Sequence, residues 1–179
     1  MSNRDLPIIG STELIRVKGE HGQFLSKIDT GAANSSIWAS DIQIEDDNSL
    51  SFVLFAPESP HYSGNRHNAK HYGVHSVRSS NGSTQVRYWV NLEITMGRKT
   101  FSCVFHLSDR SANAIPILIG NSALAGRFLV DCAKNIHKKP QSEPGPVQRA
   151  LDQELAADPK AFHDKHKPGS KSVNIKTNP

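Results

Sequence analysis

The chain has 179 residues, of which 36% are apolar and 21% charged, and its formal net charge is +4. No segment approaches the roughly 18 consecutive apolar residues of a membrane-spanning helix, which argues against a helical membrane protein. Residues 138–179 hold eight Lys or Arg against five Asp or Glu, whereas residues 1–137 hold thirteen against twelve. Because the positive charge lies at the end of a nearly neutral chain, the composition also argues against a nucleic-acid-binding face.

The composition changes near residue 137. Residues 1–137 carry the apolar patterns of one domain of ordinary size. Residues 138–179 are rich in Pro, Lys and other polar residues, and only residues 147–157 favour a helical turn or two. We therefore predict a single folded domain over 1–137 and a polar, mostly disordered tail over 138–179.

The first ten residues and the cysteines indicate the compartment. Residues 1–10 lack the basic, apolar and small-residue regions of a secretory signal. Cys103 and Cys132 are too few for a disulfide scaffold and lack the C-x-x-C spacing of a zinc site. We interpret both as reduced, mostly buried thiols of a cytoplasmic protein.

Strand patterns dominate the first half of the chain. Apolar alternation predicts strands at residues 14–17 and 24–28, joined by a turn that contains Gly22. Further strand patterns follow at residues 35–39, 42–44 and 50–55. Residues 56–75 are rich in His, Asn, Ser and Gly and predict an inserted loop.

The second half begins with the longest strand pattern. Residues 86–94 and 100–107 flank a turn at 96–99 and predict a long antiparallel hairpin. Residues 115–120 are typical of a strand buried on both faces. Asn121 is placed to cap a short helix over 122–125, which Gly126 would end before a strand at 128–130.

One tripeptide carries a chemical signal. Asp29, Thr30 and Gly31 follow an apolar strand, and the sequence has no second Asp-Thr-Gly or Asp-Ser-Gly. Two carboxylates that share one proton can activate water and protonate a carbonyl oxygen, and each needs a tight turn with backbone donors. The tripeptide alone is more typical of an Asx-type turn between strands, so the surrounding pattern must decide.

That pattern resembles the retropepsin family of aspartic peptidases over about residues 10–135. A hairpin precedes Asp29, the polar segment 78–84 stands where the family has its flap, a long hairpin follows, and residues 117–120 match its apolar strand ending in Gly. The resemblance implies an all-β fold, a single closed retropepsin-like barrel with one short helix, and an aspartic endopeptidase activity.

Within that family, four segments are similar to a bacterial group often labelled ATP-dependent zinc proteases. They are residues 27–32 (KIDTGA), 77–80 (VRSS), 107–110 (LSDR) and 128–131 (FLVD). Some members accompany an ATP-grasp enzyme that adds glutamates to a ribosomal protein, which implies a functional link to such a ligase. The sequence has no phosphate-binding G-x-x-x-x-G-K-[ST] motif, and we predict neither zinc nor another cofactor.

The resemblance also implies roles for single residues. Asp29 would be the catalytic carboxylate, Thr30 would brace the two active-site loops, and Gly31 would allow the turn. Contacts to a bound protein or peptide substrate would come from Ala32, Arg78, Ser80, Asn81 and Gly82. Of these, the residues around Asn81 and Gly82 form the flap that closes over the peptide.

Because one chain carries one such Asp, the second carboxylate must come from another copy. A two-fold symmetric homodimer with its axis near Asp29 provides it. Retroviral proteases secure their dimer with an Arg after the apolar-Gly strand, and this chain has Asn121 at that position. The usual bidentate ion pair is therefore absent.

Two alternatives remain open. The chain could be a catalytically inactive peptide-binding module with the same fold, which holds an acidic peptide tail. It could also be a metal-dependent peptidase whose ligands are the histidines of residues 61–75, at positions 61, 67, 71 and 75. The last three would share a face if helical, but there is no His-Glu-x-x-His motif, and Gly64 and Gly73 disfavour a helix.

Overall fold

The computed structural model describes residues 6–78, 84–134 and 145–166, with side chains for all of these except residues 77, 78, 84 and 85. The chain divides into two compact units, Met1–Lys138 and Lys139–Pro179.

The described part of the first unit consists of strands and one short helix. Their bounds in chain order are β1 (Ile8–Ile9), β2 (Thr12–Val17), β3 (Phe24–Asp29), β4 (Ser35–Ile44), β5 (Leu50–Leu54), β6 (Arg66–Ala69), β7 (Tyr72–Arg78), β8 (Thr84–Met96), β9 (Lys99–Ser108), β10 (Ile117–Gly120), α1 (Asn121–Leu124) and β11 (Leu129–Val130).

Six of these strands close into a barrel. Neighbouring strands pair in the order β10, β3, β2, β8, β9 and β4, and β4 pairs with β10 to complete the ring. β5 and β6 extend the sheet beyond β4, β7 pairs with β8, and β1 pairs with β11 in a separate parallel pair. The predicted all-β fold with a closed barrel is confirmed.

The core lies inside the barrel and follows the two-residue alternation of the strands. Along β3, Phe24, Ser26 and Ile28 are buried, while the residues between them are partly exposed. On one face of β10, Ile117 and Ile119 have no exposed surface, whereas Leu118 on the other face is partly exposed. The prediction of a strand buried on both faces was therefore wrong for the Leu118 face. Burial of this kind contributes about 1.5–3 kcal/mol per large apolar side chain.

Two strands replace much of the loop predicted at residues 56–75. β6 pairs with β5, and β7 pairs with β8 over its whole length. Both strands carry many polar side chains, so the alternation that marks a half-buried strand is missing from the sequence. His67 in β6 stacks on Phe52 with ring centroids 5.4 Å apart, a contact that a loop prediction cannot anticipate.

The predicted short helix is present, but its cap differs. Gly120 is the N-cap, and Asn121 is the first helical residue. The backbone N–H of Asn121 donates to the Ala32 carbonyl oxygen at 2.7 Å. The prediction that Asn121 caps the helix was therefore wrong. Gly126 follows the helix with φ of 71°, a left-handed conformation that glycine adopts without strain.

The two cysteines differ in exposure. Cys103 is buried in β9, where burial raises the pKa of its thiol to about 11, so the thiol stays protonated and unreactive. Cys132 is exposed, which makes the prediction of a mostly buried thiol wrong at that position. It follows β11 in a short turn, where no neighbouring strand covers it.

The described part of the second unit contains two helices, α2 (Pro146–Ala157) and α3 (Pro159–Lys165). The sequence predicted no more than a turn or two here. Pro146 and Pro159 occupy first-turn positions, and the Asp158 carboxylate accepts from the N–H groups of Lys160 and Ala161, both at 3.0 Å. Over all described residues, no helix combines the length and the apolarity needed to cross a membrane.

Candidate active site

The turn after β3 presents a carboxylate at the surface. Asp29 is the last residue of β3, and its Oδ1 accepts from the backbone N–H groups of Gly31 and Ala32, each at 3.2 Å. Thr30 and Gly31 are exposed, and the Asp29 side chain keeps 30% of its surface accessible. The turn therefore fixes one carboxylate oxygen and leaves the group open to a molecule that approaches from outside.

The other oxygen has a cationic neighbour. Lys27 Nζ lies 3.3 Å from Asp29 Oδ2, because residues two apart on a strand point to the same face. Partial burial alone would raise the pKa of Asp29. The Lys27 ammonium, together with the Gly31 and Ala32 amides, outweighs that effect and holds the pKa of Asp29 below its usual value.

The active-site turn is fastened to β10 and α1. Gly120 lies opposite Asp29 in the parallel pair, and its N–H donates to Ser35 Oγ at 3.1 Å. The first two amides of α1 donate to the carbonyls of Ala32 and Ala33 at 2.7 and 3.0 Å. Ala32, Ala33 and Ser35 are thereby held by elements that come almost ninety residues later in the chain.

Gly31 is not required by its own backbone conformation. Its φ lies outside the left-handed region, and a Cβ at this position would meet Asp29 Oδ1 at an ordinary 3.5 Å. The role that the resemblance assigned to Gly31, allowing the turn, therefore has no support in the single chain. The small residue instead leaves space beside the carboxylate.

A basic cavity adjoins the turn. It has a volume of about 270 Å³, and its lining includes Ala32, Asn34, Arg87, His106 and Arg110. Arg110 Nε is buried without a hydrogen-bond partner among the described residues. Burial, and then the positive charge of Arg87, lower the pKa of Arg110 below its ordinary value.

Sequence patterns did not predict a role for Arg87 or His106, and Arg110 was noted only within the segment 107–110. The pairing of Trp89 in β8 with His106 in β9 brings Arg87 close to His106, and Arg110 lies just after the end of β9 on the same cavity. The available signal was a histidine inside the apolar run of residues 104–107, where a buried polar group needs an explanation.

The remaining predicted substrate contacts fall on Arg78, the last residue of β7, and on residues after it. The backbone of Arg78 pairs with that of Thr84 at the end of β7 and β8. The side chain of Arg78 and the residues Ser80, Asn81 and Gly82 lie outside the described part of the chain, so their predicted contacts stay predictions.

The four histidines of residues 61–75 do not converge. His61 packs against Phe24 and Phe55, and His67 Nε2 lies 2.7 Å from the Glu20 carboxylate. His75 is next to His106 rather than to His71. In the described ranges, no three His, Cys, Asp or Glu side chains are grouped as metal ligands would be. The metal-dependent alternative therefore gains no support from the geometry.

Comparisons with known proteins agree with this architecture. A family model described as "Retropepsin-like aspartic endopeptidase RimB" matches residues 8–141. A crystal structure of a Legionella pneumophila protein of unknown function aligns with a TM-score of 0.59 and 22% identity, covering 72% of this chain and 95% of that one. The likeness to the Legionella pneumophila structure shows a shared fold.

A curated relative has a different name. A "Probable alpha-L-glutamate ligase" from Parasynechococcus marenigrum (strain WH8102) is 27% identical over 128 residues, which are 69% of this chain. The chain spans only 28% of the length of that relative. Because the family model covers most of the chain and includes the whole barrel, the chain belongs to the RimB-like family of retropepsin-like aspartic endopeptidases.

Proposed function

We propose that the protein is an aspartic endopeptidase that hydrolyses peptide bonds with water activated between Asp29 of two copies. The observation that carries the proposal is the Asp29 turn, where two amides hold Oδ1 while the carboxylate stays accessible at the surface. Two carboxylates brought together would share one proton, so that one acts as base towards water and the other as acid towards the carbonyl oxygen.

The surface beside the turn supports a second copy as the source of the other carboxylate. Thr30 lines a groove of about 300 Å³ together with Asn121 and Leu129. Leu129 is 54% exposed, and its β-strand neighbour Ile8 is 53% exposed. An exposed apolar pair next to the catalytic turn is suited to a two-fold interface whose axis passes near Asp29.

The ion pair between Lys27 and Asp29 does not block this arrangement. Both side chains are partly exposed, at 42% and 30%. Exposed pairs of this kind contribute about 0–1 kcal/mol, so a second carboxylate can approach without a large penalty.

The substrate class follows from the basic cavity. Arg87, His106 and Arg110 surround a space that opens beside Ala32, and guanidinium groups bind carboxylates through paired hydrogen bonds. We therefore propose an acidic peptide as substrate. The relative named as an alpha-L-glutamate ligase supports a functional link to an enzyme that adds glutamates, whose product would be such a peptide.

Cleavage by the purified protein tests the proposal. Wild type and Asp29→Asn are incubated with a glutamate-rich peptide and with the same peptide carrying glutamine, and products are identified by mass spectrometry. We expect wild type to cleave the glutamate peptide preferentially and Asp29→Asn to lose on the order of 10²- to 10⁴-fold in rate, because the pair loses its base. Equal cleavage by both proteins would remove Asp29 from the mechanism.

The inactive binding module gives a different result. Calorimetry could show that wild type and Asp29→Asn both bind the glutamate peptide, while neither cleaves it between pH 3 and pH 9. That result would replace the endopeptidase hypothesis with that of an inactive peptide-binding module. An unchanged unfolding midpoint in Asp29→Asn serves as the control for folding.

A further inference from the structure

Lys27 acts on the proposed catalytic carboxylate from within the same strand. Its Nζ lies 3.3 Å from Asp29 Oδ2, while Oδ1 is occupied by the Gly31 and Ala32 amides. Each oxygen of Asp29 therefore has its own donor. The arrangement comes from the strand alternation, which turns Phe24, Ser26 and Ile28 inward and Lys27 and Asp29 outward.

The elements packed against β3 bring no second charge close to Asp29. Arg16 is on the outward face of β2 but lies beyond the end of β3, where it pairs with Thr95 of β8. Glu13 on β2 lies opposite Ser26, on the other face of the sheet, and accepts from the Gly10 N–H at 2.7 Å. β10 and α1 carry no ionisable side chain. Arg127, which follows α1, donates to the carbonyl of Ser122 and lies over the Phe101 ring. Among the described residues, Lys27 is thus the charged group that faces Asp29.

Such a cation changes what happens when two carboxylates meet. Without it, like-charge repulsion pushes the second ionisation of the pair towards high pH. A symmetric assembly of two chains would bring two Lys27 ammonium groups with its two Asp29 carboxylates. Their positive charge would offset part of the repulsion and displace both ionisations towards lower pH.

We propose that Lys27 is a positioning residue of the catalytic pair: its ammonium holds Asp29 Oδ2 and sets the pH range over which the two carboxylates share one proton. The inference rests on the proposed function, because it assigns a role to a neighbour of Asp29 in that reaction. Lys27 acts through Asp29 and does not itself contact the scissile bond.

The test compares pH profiles. kcat and KM for the glutamate-rich peptide are measured from pH 3 to pH 9 for wild type, Lys27→Gln, Lys27→Arg and Lys18→Gln. Removing the cation raises both pKa values of the carboxylate pair. We therefore expect kcat of Lys27→Gln to be lower than that of wild type on the acid limb of the profile and higher on the alkaline limb. Lys27→Arg retains a cation and should keep the wild-type limbs.

Lys18→Gln is the matched control for loss of one positive charge. Lys18 is 73% exposed and pairs with Glu93 at 3.1 Å, so this change leaves the Asp29 turn intact and should not move either limb. A second readout does not depend on activity: the 13C chemical shift of the Asp29 carboxyl carbon, assigned with Asp29→Asn. We expect it to titrate at higher pH in Lys27→Gln than in wild type.

The outcomes separate the two proposals. Coincident pH profiles for wild type and Lys27→Gln, or a change confined to KM, overturn the role of Lys27 while leaving Asp29-dependent cleavage intact. A change confined to KM would mean that Lys27 only attracts the acidic peptide. Full activity in Asp29→Asn instead overturns the proposed function, and the positioning role with it.

Discussion

His106 shows how a single buried residue links the candidate site to stability. It is 9% exposed, its Nε2 lies 3.5 Å from His75 Nδ1, and the two rings stack with centroids 5.3 Å apart. Burial, followed by the charges of His75 and Arg87, lowers the pKa of His106 below its ordinary 6.5. The folded protein therefore favours the neutral ring.

This difference predicts acid sensitivity near neutral pH. The unfolded chain takes up a proton at His106 near its ordinary pKa of 6.5, whereas the folded chain resists it, so stability is present above 6.5 and is lost as pH falls towards the folded pKa. We expect the urea midpoint of wild type to fall more between pH 7.5 and pH 5.5 than that of His106→Gln. His71→Gln, which changes an exposed histidine, should behave as wild type.

At the scale of elements, the junction of β10 and α1 governs the geometry of the active-site turn. Gly120 ends β10 beside Asp29 and is the N-cap of α1, and the backbone of residues 32–34 packs directly on it. A side chain here would overlap the Asn34 carbonyl and lie 2.9 Å from that of Ala32. The close approach of two backbones, rather than a left-handed conformation, is the reason for glycine.

Gly120→Ala is therefore expected to damage both stability and catalysis. Overpacking against backbone atoms costs about 1–3 kcal/mol, because the turn must move to admit the methyl group. The free energy of unfolding from urea titration and the rate of peptide cleavage measure the two effects. Gly145→Ala is the control, since a Cβ at Gly145 meets nothing within 4 Å. Wild-type stability and rate in Gly120→Ala would contradict the proposed anchoring.

At the scale of the whole molecule, the proposed activity requires two chains. A single chain contributes one Asp29, and its described surface offers the exposed Ile8 and Leu129 beside the Thr30 groove as an apolar contact. With Asn121 in place of the arginine of retroviral proteases, the ion pair that secures their dimers has no counterpart at this position. We therefore expect a dimer that rests on apolar contact and dissociates on dilution.

Leu129→Glu tests this assembly. Placing a carboxylate in the apolar contact should shift the mass in solution towards the monomer and reduce specific activity, most strongly at low protein concentration, while circular dichroism stays unchanged. Ile44→Glu alters a residue of similar exposure, 54%, at the opposite end of β4 from the turn and should leave mass and activity unaltered. Undiminished activity in monomeric Leu129→Glu would exclude the shared site.

The sequence by itself determined the barrel strands and the position of the carboxylate. β2, β3, β8 and β9 appear as alternating or apolar runs because each has one buried face, and burial leaves a period of two. Adjacent residues placed Asp29 in a turn at the end of a strand, and the resemblance to retropepsins over residues 10–135 marked it as the candidate carboxylate. Polar edge strands such as β6 were missed, because they bury too little apolar surface to show a two-residue alternation of apolar side chains in the sequence.

Only the tertiary structure decided which distant residues surround Asp29. Arg87, His106 and Arg110 come from strands and a loop more than fifty residues away, and β10 reaches the turn through parallel pairing. The partners of Asn121 and of the four histidines depend on the same long-range packing. Local propensity encodes neighbours along the chain, whereas the donors and charges around a site are set by strand order and register, which no short segment contains.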